Sequence, residues 1–356
     1  MKNENSIGEI VTHNGVFHAD DCFAVGALRV LHPDSRVVRT RDPKEWLRAA
    51  YLVDVGGEYD PERGRFDHHQ KGGAGVRPND VPYASFGLVW NALGEGVILD
   101  VLDIGGMHHA DIQEIKSLVD ERLVQGVDAA DCGYRPQLVL RQGDGQGSGA
   151  SVAGWENGPG LEGVEFDGAY NAEHTAHTIP PCPGAGMTIS QLISSLNPTW
   201  DEEAEFDVEF EKAVEIAGIG LRREIRRAAS EVKARALVRE AIDHSQHGDP
   251  RVLVLDRFLP WQETVIEEAP AVEFVVFPAE TGDWRVQTVP LQPGSFTPRK
   301  PLPKEWWGLR GGDLDALTGM EGCCVFCHPN GFIAGTVDQG TALAMANEAL
   351  GSAVEG

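Results

Sequence analysis

The sequence has few basic residues and no long apolar segment. Its 356 residues include 30 Lys and Arg against 55 Asp and Glu, a formal net charge of −25. Because broad nucleic-acid surfaces need clustered Lys and Arg, this balance argues against an extended phosphate-binding face. No run reaches the ~18–20 apolar residues needed to cross a bilayer, so no membrane association is expected.

Signals for export and for a disulfide framework are also missing. The segment Met1–Glu9 mixes Lys and Glu with Asn and Ser, without the apolar stretch of a secretory signal. The six cysteines do not form the dense framework of a small secreted domain. We therefore expect reduced thiols and a cytoplasmic location. A G-K-[ST] phosphate loop and internal repeats are absent as well.

Length and composition are those of an ordinary globular protein with two domains. At ~100–200 residues per domain, the chain is long enough for two, and 42% hydrophobic residues can supply two cores. We place a first domain at residues 1–200, a helical connector at 201–245 and a smaller α/β domain at 246–356. A Gly-rich stretch at about residues 142–160 predicts a loop insertion in the first domain.

The N-terminal pattern predicts a mostly parallel sheet covered by helices. Short β-branched runs occur at Glu9–Thr12, Arg36–Thr40 and Tyr51–Asp54. A helical pattern separates the first two runs, and a short helix beginning at Pro43 separates the second and third. Alternating strands and helices are typical of α/β folds with a parallel sheet.

Downstream patterns predict further helices and a second α/β unit. One helix should cover Ser85–Leu93 and end at Gly94, and another should cover Ile112–Val127. A long charged helix is predicted over residues 205–241, with a break around Gly218 and Gly220. The second unit should contain strands at Val252–Leu255, Val272–Phe277 and Arg285–Val289 and a helix at Gln339–Leu350.

Histidine and aspartate are concentrated directly after the predicted strands. His13–Asp21 reads H-N-G-V-F-H-A-D-D after the first strand, and V-D-V-G-G brings Asp54 to the end of the third. D-H-H-Q follows at Asp67–Gln70, and Asp128 and Asp131 lie on one side of a helix end. Because ligands bind beyond the carboxyl ends of parallel strands, we expect these side chains to meet there.

Carboxylate and imidazole groups without a required thiolate suit manganese, magnesium or iron. Two such ions ~3.5–4 Å apart would lower the pKa of a shared water toward 7. Structural roles remain as alternatives, because a lone histidine is more often structural than a ligand. Asp21 is also a candidate helix cap, and Asp67 and His69 are candidates for supporting the ligands rather than binding a metal.

The series H-N-G-V-F-H-A-D, V-R-T-R-D, V-D-V-G-G-E-Y-D, D-H-H-Q and V-D-A-A-D resembles the DHH phosphoesterase superfamily, and within it the melanocyte-proliferating-gene exonuclease family. Four later segments share the likeness: Leu196–Trp200, Arg257–Trp261, Leu302–Arg310 and Phe326–Gly335. The resemblance implies a DHH-type catalytic domain at residues 1–200 and a substrate-binding C-terminal domain that closes over its cleft. It also implies 3′-to-5′ exonuclease activity on RNA, or related phosphodiester hydrolysis, with manganese or magnesium.

The resemblance further implies a role for individual residues. Two divalent cations would be held by His13, His18, Asp20, Asp54, His68 and Asp128, with Asp54 bridging. The catalytic residues would be Asp20, Asp54, His68 and His69. Groups that contact substrate phosphates would be His69, Arg39, Arg41, His328 and Gly331, since Arg forks match phosphate oxygens.

Some features depart from the family pattern and leave alternatives open. Cys132 stands where an amide is expected after Asp131, so the role of Asp131 is open. The acidic balance favours a short oligonucleotide or small phosphodiester, which keeps a small-molecule phosphoesterase or pyrophosphatase as a rival. The oligomeric state is not determined, with a homodimer as one alternative.

Three short patterns suggest other functions. C-V-F-C-H at Cys324–His328 matches covalent haem attachment, although buried apolar cysteines are the preferred interpretation. G-D-G-Q-G-S-G-A from Gly143 loosely matches a dinucleotide fingerprint but lacks a following helix, so a loop is predicted. Trp306 and Trp307 are candidates for base stacking, with packing in the second domain as the commoner role.

Overall fold

The computed structural model describes residues 8–103, 107–134, 138–140, 152–155, 186–244, 249–295 and 297–352. The chain divides into two units, Met1–Ala229 and Ser230–Gly356. Each unit contains helices and a five-stranded sheet, so the α/β class predicted from the sequence is confirmed.

The sheet of the first unit is mostly parallel. Its strands are β1 (Glu9–Thr12), β2 (Val37–Arg39), β3 (Ala49–Val53), β4 (Tyr59–Asp60) and β5 (Arg65–Phe66). They lie in the order β2-β1-β3-β5-β4, and only β4 runs antiparallel to its neighbour. Helices α1 (Ala19–Leu31) and α2 (Pro43–Trp46) connect the first three strands. The carboxyl ends of β1, β3 and β5 are therefore side by side; the sequence predicted β1 and β3 but not β5.

Helix α1 is buried along most of its length and supplies much of the core of this unit. Phe23, Ala24 and Leu28 have no exposed surface, which agrees with the apolar face read from the sequence. Asp21 accepts a hydrogen bond from the backbone N–H of His18 at 2.9 Å. The predicted capping role of Asp21 is thus observed, and an acidic first turn also suits the helix dipole.

Further helices in the described part of the first unit include α3 (Ser85–Leu102), α4 (His109–Val119), α5 (Gln125–Asp131) and α6 (Ile189–Ser194). A π-helical turn, Asp120–Val124, joins α4 to α5. The predicted helix end at Gly94 is wrong. Val97, Ile98 and Val101 continue the buried face of α3 beyond this glycine, and their burial outweighs its weak helix propensity.

Helix α3 is longer and more apolar than the helix predicted from the sequence. By length and composition it could cross a membrane, with a mean hydropathy of 1.3, and it is the one such helix among the described residues. In the structure 56% of it is buried, and it packs against α1. These are the properties of a core helix.

A short ladder occupies part of the predicted insertion. Strands β6 (Leu138–Leu140) and β7 (Val152–Trp155) pair in antiparallel orientation. The prediction of an irregular loop over residues 142–160 is therefore wrong for residues 152–155, where Val152 pairs with Leu140. The remainder of this stretch, including G-D-G-Q-G-S-G-A, lies outside the described residues.

Helix α7 (Phe206–His244) is continuous, so the predicted break around Gly218 and Gly220 is wrong. A Cβ on Gly26 of α1 would lie 3.4 Å from the backbone nitrogen of Gly218. The absence of side chains at this crossing lets the two helix backbones approach closely. The glycines therefore serve helix packing rather than a bend.

The second sheet is mostly antiparallel. Its strands are β8 (Val252–Val254), β9 (Phe274–Pro278), β10 (Trp284–Thr288), β11 (Cys324–Cys327) and β12 (Ile333–Thr336). They lie in the order β11-β12-β10-β9-β8, and only β8 and β9 are parallel. The helices of this unit, besides the end of α7, are α8 (Gln262–Glu268), α9 (Gly312–Thr318) and α10 (Gln339–Gly351). The sequence predicted β8, β9, β10 and α10 but not β11 and β12.

Candidate metal centre

Asp54 directly follows β3 and lies at the centre of the predicted cluster. Its backbone φ is 54°, in the left-handed region that few residues other than glycine adopt. Its Oδ2 is 3.2 Å from Nε2 of His13, and its Oδ1 is 3.3 Å from Nε2 of His68. Ser85 donates a hydrogen bond to the same Oδ1 at 3.1 Å. One carboxylate therefore contacts histidines from two separate segments, one on each oxygen.

The loop after β1 brings His13 and His18 to this carboxylate. His13 is only 4% exposed, and its Nε2 also lies 3.2 Å from Oδ2 of Asp21. The His18 side chain is 54% exposed, and its Nδ1 lies 3.8 Å from Oδ1 of Asp131. Ligand atoms of His13, His18 and Asp54 lie within 4.8 Å of one another, so these three side chains could hold one cation.

His68 and His69 follow β5 at the same edge of the sheet. Nε2 of His68 is 3.2 Å from Oδ2 of Asp131, and its Nδ1 is 3.7 Å from Sγ of Cys132. The His69 ring is 62% exposed, and Oδ1 of the buried Asp67 accepts hydrogen bonds from its Nδ1 at 2.8 Å and its backbone N–H at 3.1 Å. Two further groups of candidate ligands result: Asp54, His68 and His69, and His68, Asp131 and Cys132.

Two predicted ligands, Asp20 and Asp128, instead contact the first turn of α3. Asp20 accepts hydrogen bonds from the backbone N–H groups of Ser85 at 3.0 Å and Phe86 at 2.6 Å. Asp128 accepts one from the N–H of Gly87 at 3.0 Å. Neither carboxylate joins a compact group of candidate ligands within the described part of the chain. Asp131, whose role the sequence left open, is the carboxylate that lies beside His68.

Arg77 is a buried residue that sequence reasoning missed. Its Nη2 lies 2.8 Å from Oδ2 of Asp128, it forms a bidentate pair with Asp120, and it stacks on Tyr83 at 4.1 Å. Gly87 makes room for this contact, because a Cβ there would lie 1.9 Å from Oδ2 of Asp128. Arg77 lies between two motifs, in a polar segment without periodicity, so no sequence pattern marked it.

Buried carboxylates outnumber the positively charged groups in this cluster, and this shifts the pKa values of its members. Burial lowers the pKa of His13, but hydrogen bonds with Asp21 and Asp54 outweigh this and raise it to about 10. Burial raises the pKa of Asp54, but hydrogen bonds with His13 and His68 outweigh this and lower it. Burial, followed by the negative charge of Asp54, raises the pKa of Asp20. Positive charge is therefore favoured at this point.

The donor set fits divalent cations. Nε2 of His68 lies 3.2 Å from Oδ2 of Asp131 and 3.3 Å from Oδ1 of Asp54, so one imidazole nitrogen faces two carboxylates. The contacts from Asp54 to His13, His68 and His69 span 3.2, 3.3 and 3.4 Å. Two ligands each ~2.1 Å from one ion and at right angles are about 3 Å apart, close to these distances. Imidazole and carboxylate are also the groups that bind manganese or magnesium.

A cavity of about 700 Å³ opens onto the cluster. Its lining residues are His13, His18, Arg41, Trp46, Asp54, Val55, Gly56, Gly57, Asp67, His69, Ala130 and Asp131. Its size is in the range of ~300–1,000 Å³ that is common for small-molecule sites. A smaller cavity, about 330 Å³, shares His18 and Asp131 with it. The cluster is thus accessible to a ligand of nucleotide size.

The two arginines predicted to contact substrate differ in position. Arg41 lines the cavity and donates to the carbonyl oxygen of Asn14. The Arg39 side chain is 3% exposed, donates to the carbonyl oxygen of Gly15 at 2.6 Å and stacks on Phe210 at 4.4 Å. Arg39 is absent from the cavity wall, and its contacts fix the loop that carries His13 and His18.

The other two predicted substrate residues, His328 and Gly331, lie in the second unit. The ring of His328 packs against Phe332 at 4.4 Å, and its Nδ1 accepts a hydrogen bond from the N–H of Asn330 at 3.1 Å. Gly331 has φ 62°, and a Cβ there would lie 2.0 Å from Nε1 of Trp307. These contacts belong to packing within the second unit.

The remaining patterns of the second unit also lie in its core. Trp306 is 2% exposed, so it packs rather than presenting a stacking surface. Cys324 and Cys327 are 6% and 2% exposed, and burial raises the pKa of Cys327 to about 12. Buried neutral thiols argue against covalent haem attachment and agree with the preferred apolar role.

Comparisons with known proteins support the family, though not the superfamily, that the motifs resemble. The chain matches the model of an uncharacterised protein family, UPF0160, over residues 9–149 and 164–350. It is 31% identical over 364 residues to the human protein named MYG1 exonuclease, covering 96% of this chain and 85% of the human protein. It is 33% identical over 366 residues to a MYG1 protein of Schizosaccharomyces pombe, covering 97% and 98%. A MYG1 protein of Dictyostelium discoideum is 31% identical over 358 residues, covering 96% of both chains.

Proposed function

Because the chain belongs to the MYG1 exonuclease family (UPF0160), we propose that it is a metal-dependent phosphodiester hydrolase, a 3′-to-5′ exonuclease acting on RNA or short oligonucleotides. The position of Asp54 carries the proposal. Its two carboxylate oxygens contact histidines from different motifs, as a ligand shared by two cations would. The names of the relatives support nuclease activity, and the donor set supports metal dependence.

Two divalent ions, manganese or magnesium, would be held by residues of the cluster. We assign His13, His18 and Asp54 to one ion and Asp54, His68 and Asp131 to the other. When bound, such a pair supplies an activated water at neutral pH and positive charge beside the attacked phosphorus. Asp131 replaces Asp128 in this set because it is the carboxylate beside His68. Asp20 and Asp128 hold the start of α3, which places Ser85 against Asp54.

The exposed groups around the ions bind and orient the substrate. Asp67 accepts a hydrogen bond from Nδ1 of His69, which leaves Nε2 for a phosphate oxygen of the substrate. Arg41 adds a positive charge on the cavity wall. The Asp54 contacts and the burial of His13 keep the metal-binding side chains in place while the exposed His69 ring meets the substrate.

The charge of the chain restricts the substrate. A net charge of −25 disfavours binding of a long nucleic acid, whereas a cavity of about 700 Å³ is large enough for a terminal nucleotide. These observations support action at strand ends or on short oligonucleotides. The same observations favour one rival, a small-molecule phosphoesterase or pyrophosphatase.

The test is a comparison of substrates with the purified protein. With Mn²⁺, RNA oligomers labelled at the 5′ end should shorten stepwise and release mononucleotides, and EDTA should stop the reaction. Parallel assays would use matching DNA, a p-nitrophenyl phosphodiester and pyrophosphate. Hydrolysis of the small substrates alone would favour the rival. No hydrolysis of any substrate by metal-loaded protein would refute both.

A further inference from the structure

The segment Leu196–Trp200 takes no part in the proposed chemistry, yet its Asn197 contacts the loop His13–His18. Oδ1 of Asn197 accepts a hydrogen bond from the N–H of Phe17 at 3.0 Å, and Nδ2 donates one to the carbonyl oxygen of Phe17 at 2.8 Å. These residues are 180 positions apart in the chain. The side-chain amide of Asn197 has one donor group and one acceptor group, and it uses both to bind the backbone C=O and N–H of Phe17.

Asn197 is itself held firmly. Its Nδ2 also donates to the carbonyl oxygen of Ser194 at 3.1 Å, at the end of α6. Ile193, one residue earlier, is fully buried and anchors α6 in the core. Pro198 restricts the backbone of Asn197 because a residue before proline avoids the helical region. The side-chain amide of Asn197 is therefore held in one position relative to α6.

Among the residues assigned to the two ions, His18 is the one that most needs such support. Its side chain is 54% exposed, whereas that of His13 is 5% exposed and that of His68 is 11%. Its nearest carboxylate oxygen, on Asp131, is 3.8 Å away. The position of His18 thus depends on its backbone. Phe17, the residue before His18, packs its ring against Phe210. This contact fixes the Phe17 side chain but leaves the orientation of the backbone between Phe17 and His18 to other contacts.

We propose that Asn197 is a positioning residue that holds the two peptide groups on either side of Phe17 and thereby sets the backbone of His18 for metal binding. The inference rests on the proposed function, since it takes His18 as a metal ligand. Arg39 and Arg41 hold the earlier part of the same loop, at Gly15 and Asn14. Its later part is held at Phe17 by Asn197 and at the N–H of His18 by Asp21. Residues that orient a ligand in this way typically contribute ~10–100-fold to metal affinity or activity.

The test uses Asn197→Ala and Asn197→Asp, with Ser195→Ala as the matched control. Ser195→Ala removes a hydrogen bond from the Ser195 hydroxyl to the carbonyl oxygen of Leu192, at the end of α6, and leaves the Asn197 contacts with Phe17 in place. Amide hydrogen exchange in metal-free protein should be faster at Phe17 in Asn197→Ala. Mn²⁺ affinity, followed by electron paramagnetic resonance, should fall by about 10-fold or more. Asn197→Asp keeps the acceptor but loses the donor, so it should also weaken Mn²⁺ binding, while Ser195→Ala should change neither measurement.

A double-mutant cycle with His18→Ala separates positioning from a general structural effect. If Asn197 acts through His18, the Asn197→Ala loss of Mn²⁺ affinity should disappear in the His18→Ala background. An equal loss in both backgrounds, or unchanged affinity in Asn197→Ala, would overturn the positioning role alone. Failure of the wild-type protein to bind Mn²⁺ would overturn the proposed function and this role with it, whereas the hydrogen-exchange comparison would still report the contact.

Discussion

The two sheets of this protein use their motif residues in different ways. In the first unit, parallel strands end side by side, and the motif residues His13 and Asp54 meet at those ends. In the second unit, the sheet is mostly antiparallel, and Gly331 and Gly335 make room for aromatic rings. A sequence motif therefore marks a place where the local backbone or side-chain geometry is restricted. The chemistry of the neighbouring atoms then indicates whether that geometry serves a reaction or packing.

The largest expected effect is that of Asp54→Asn. Asparagine keeps the size of the side chain and tolerates the left-handed backbone, but it removes the charge shared between the two ligand groups. Turnover should fall about 10³-fold or more, with loss of bound metal. Steady-state kinetics and metal analysis measure both. Asp283→Asn, which removes a charge paired with Arg285 in the second unit, is the control and should change neither.

Asp131→Asn and Asp128→Asn should give opposite results. Asp131→Asn removes the carboxylate beside His68, so metal affinity should fall about 10–100-fold with stability nearly unchanged. Asp128→Asn leaves Arg77 with one buried partner fewer, so the free energy of unfolding should fall by about 3 kcal/mol. Metal titration and urea unfolding distinguish the two. Loss of metal on Asp128→Asn, with retention on Asp131→Asn, would restore Asp128 as the ligand.

His69→Ala should separate substrate contact from metal binding. The ring is exposed on the cavity wall, and its Nδ1 is held by Asp67. Removing it should leave the metal content unchanged and lower turnover about 10²-fold. Inductively coupled plasma analysis measures the metal content, and steady-state kinetics measures turnover. Loss of the ions together with activity would instead make His69 a ligand.

Gly331→Ala should give the smallest effect on chemistry and a clear effect on stability. The new Cβ would overlap Trp307, and φ 62° disfavours alanine. We expect the second unit to lose about 2 kcal/mol of stability while metal content persists. Gly282→Ala is the matched control, because it has φ 88° but open space, and its loss should be about 1 kcal/mol. Equal losses in calorimetry would show that strain rather than overlap dominates.

The periodicity of apolar residues predicted much of the fold, but the helix ends and breaks that were predicted at glycines are wrong. Strand β1 and the core of α1 follow from their apolar patterns. Gly94 and Gly218 do not end or break their helices, because burial of neighbouring side chains and close packing outweigh a propensity penalty of ~1 kcal/mol. Strands β11 and β12 were missed because their sequences, C-V-F-C and I-A-G-T, contain few of the β-branched and aromatic residues that indicate a strand.

The sequence by itself indicated that His13 and Asp54 would meet, because each follows a predicted strand of one parallel sheet, and the D-H-H-Q motif placed His68 with them. The structure added the reason for His68, which follows β5 of the same sheet. It did not determine which carboxylates face them. Asp20 and Asp21 are neighbours on α1, yet one contacts the amides of α3 and the other His13. Spacing places residues on a helix face, but the rotation of that helix against its neighbours decides where each oxygen points. That rotation is set by packing over the whole unit, so only the tertiary structure shows that Asp131 lies beside His68 and Asp128 beside Arg77.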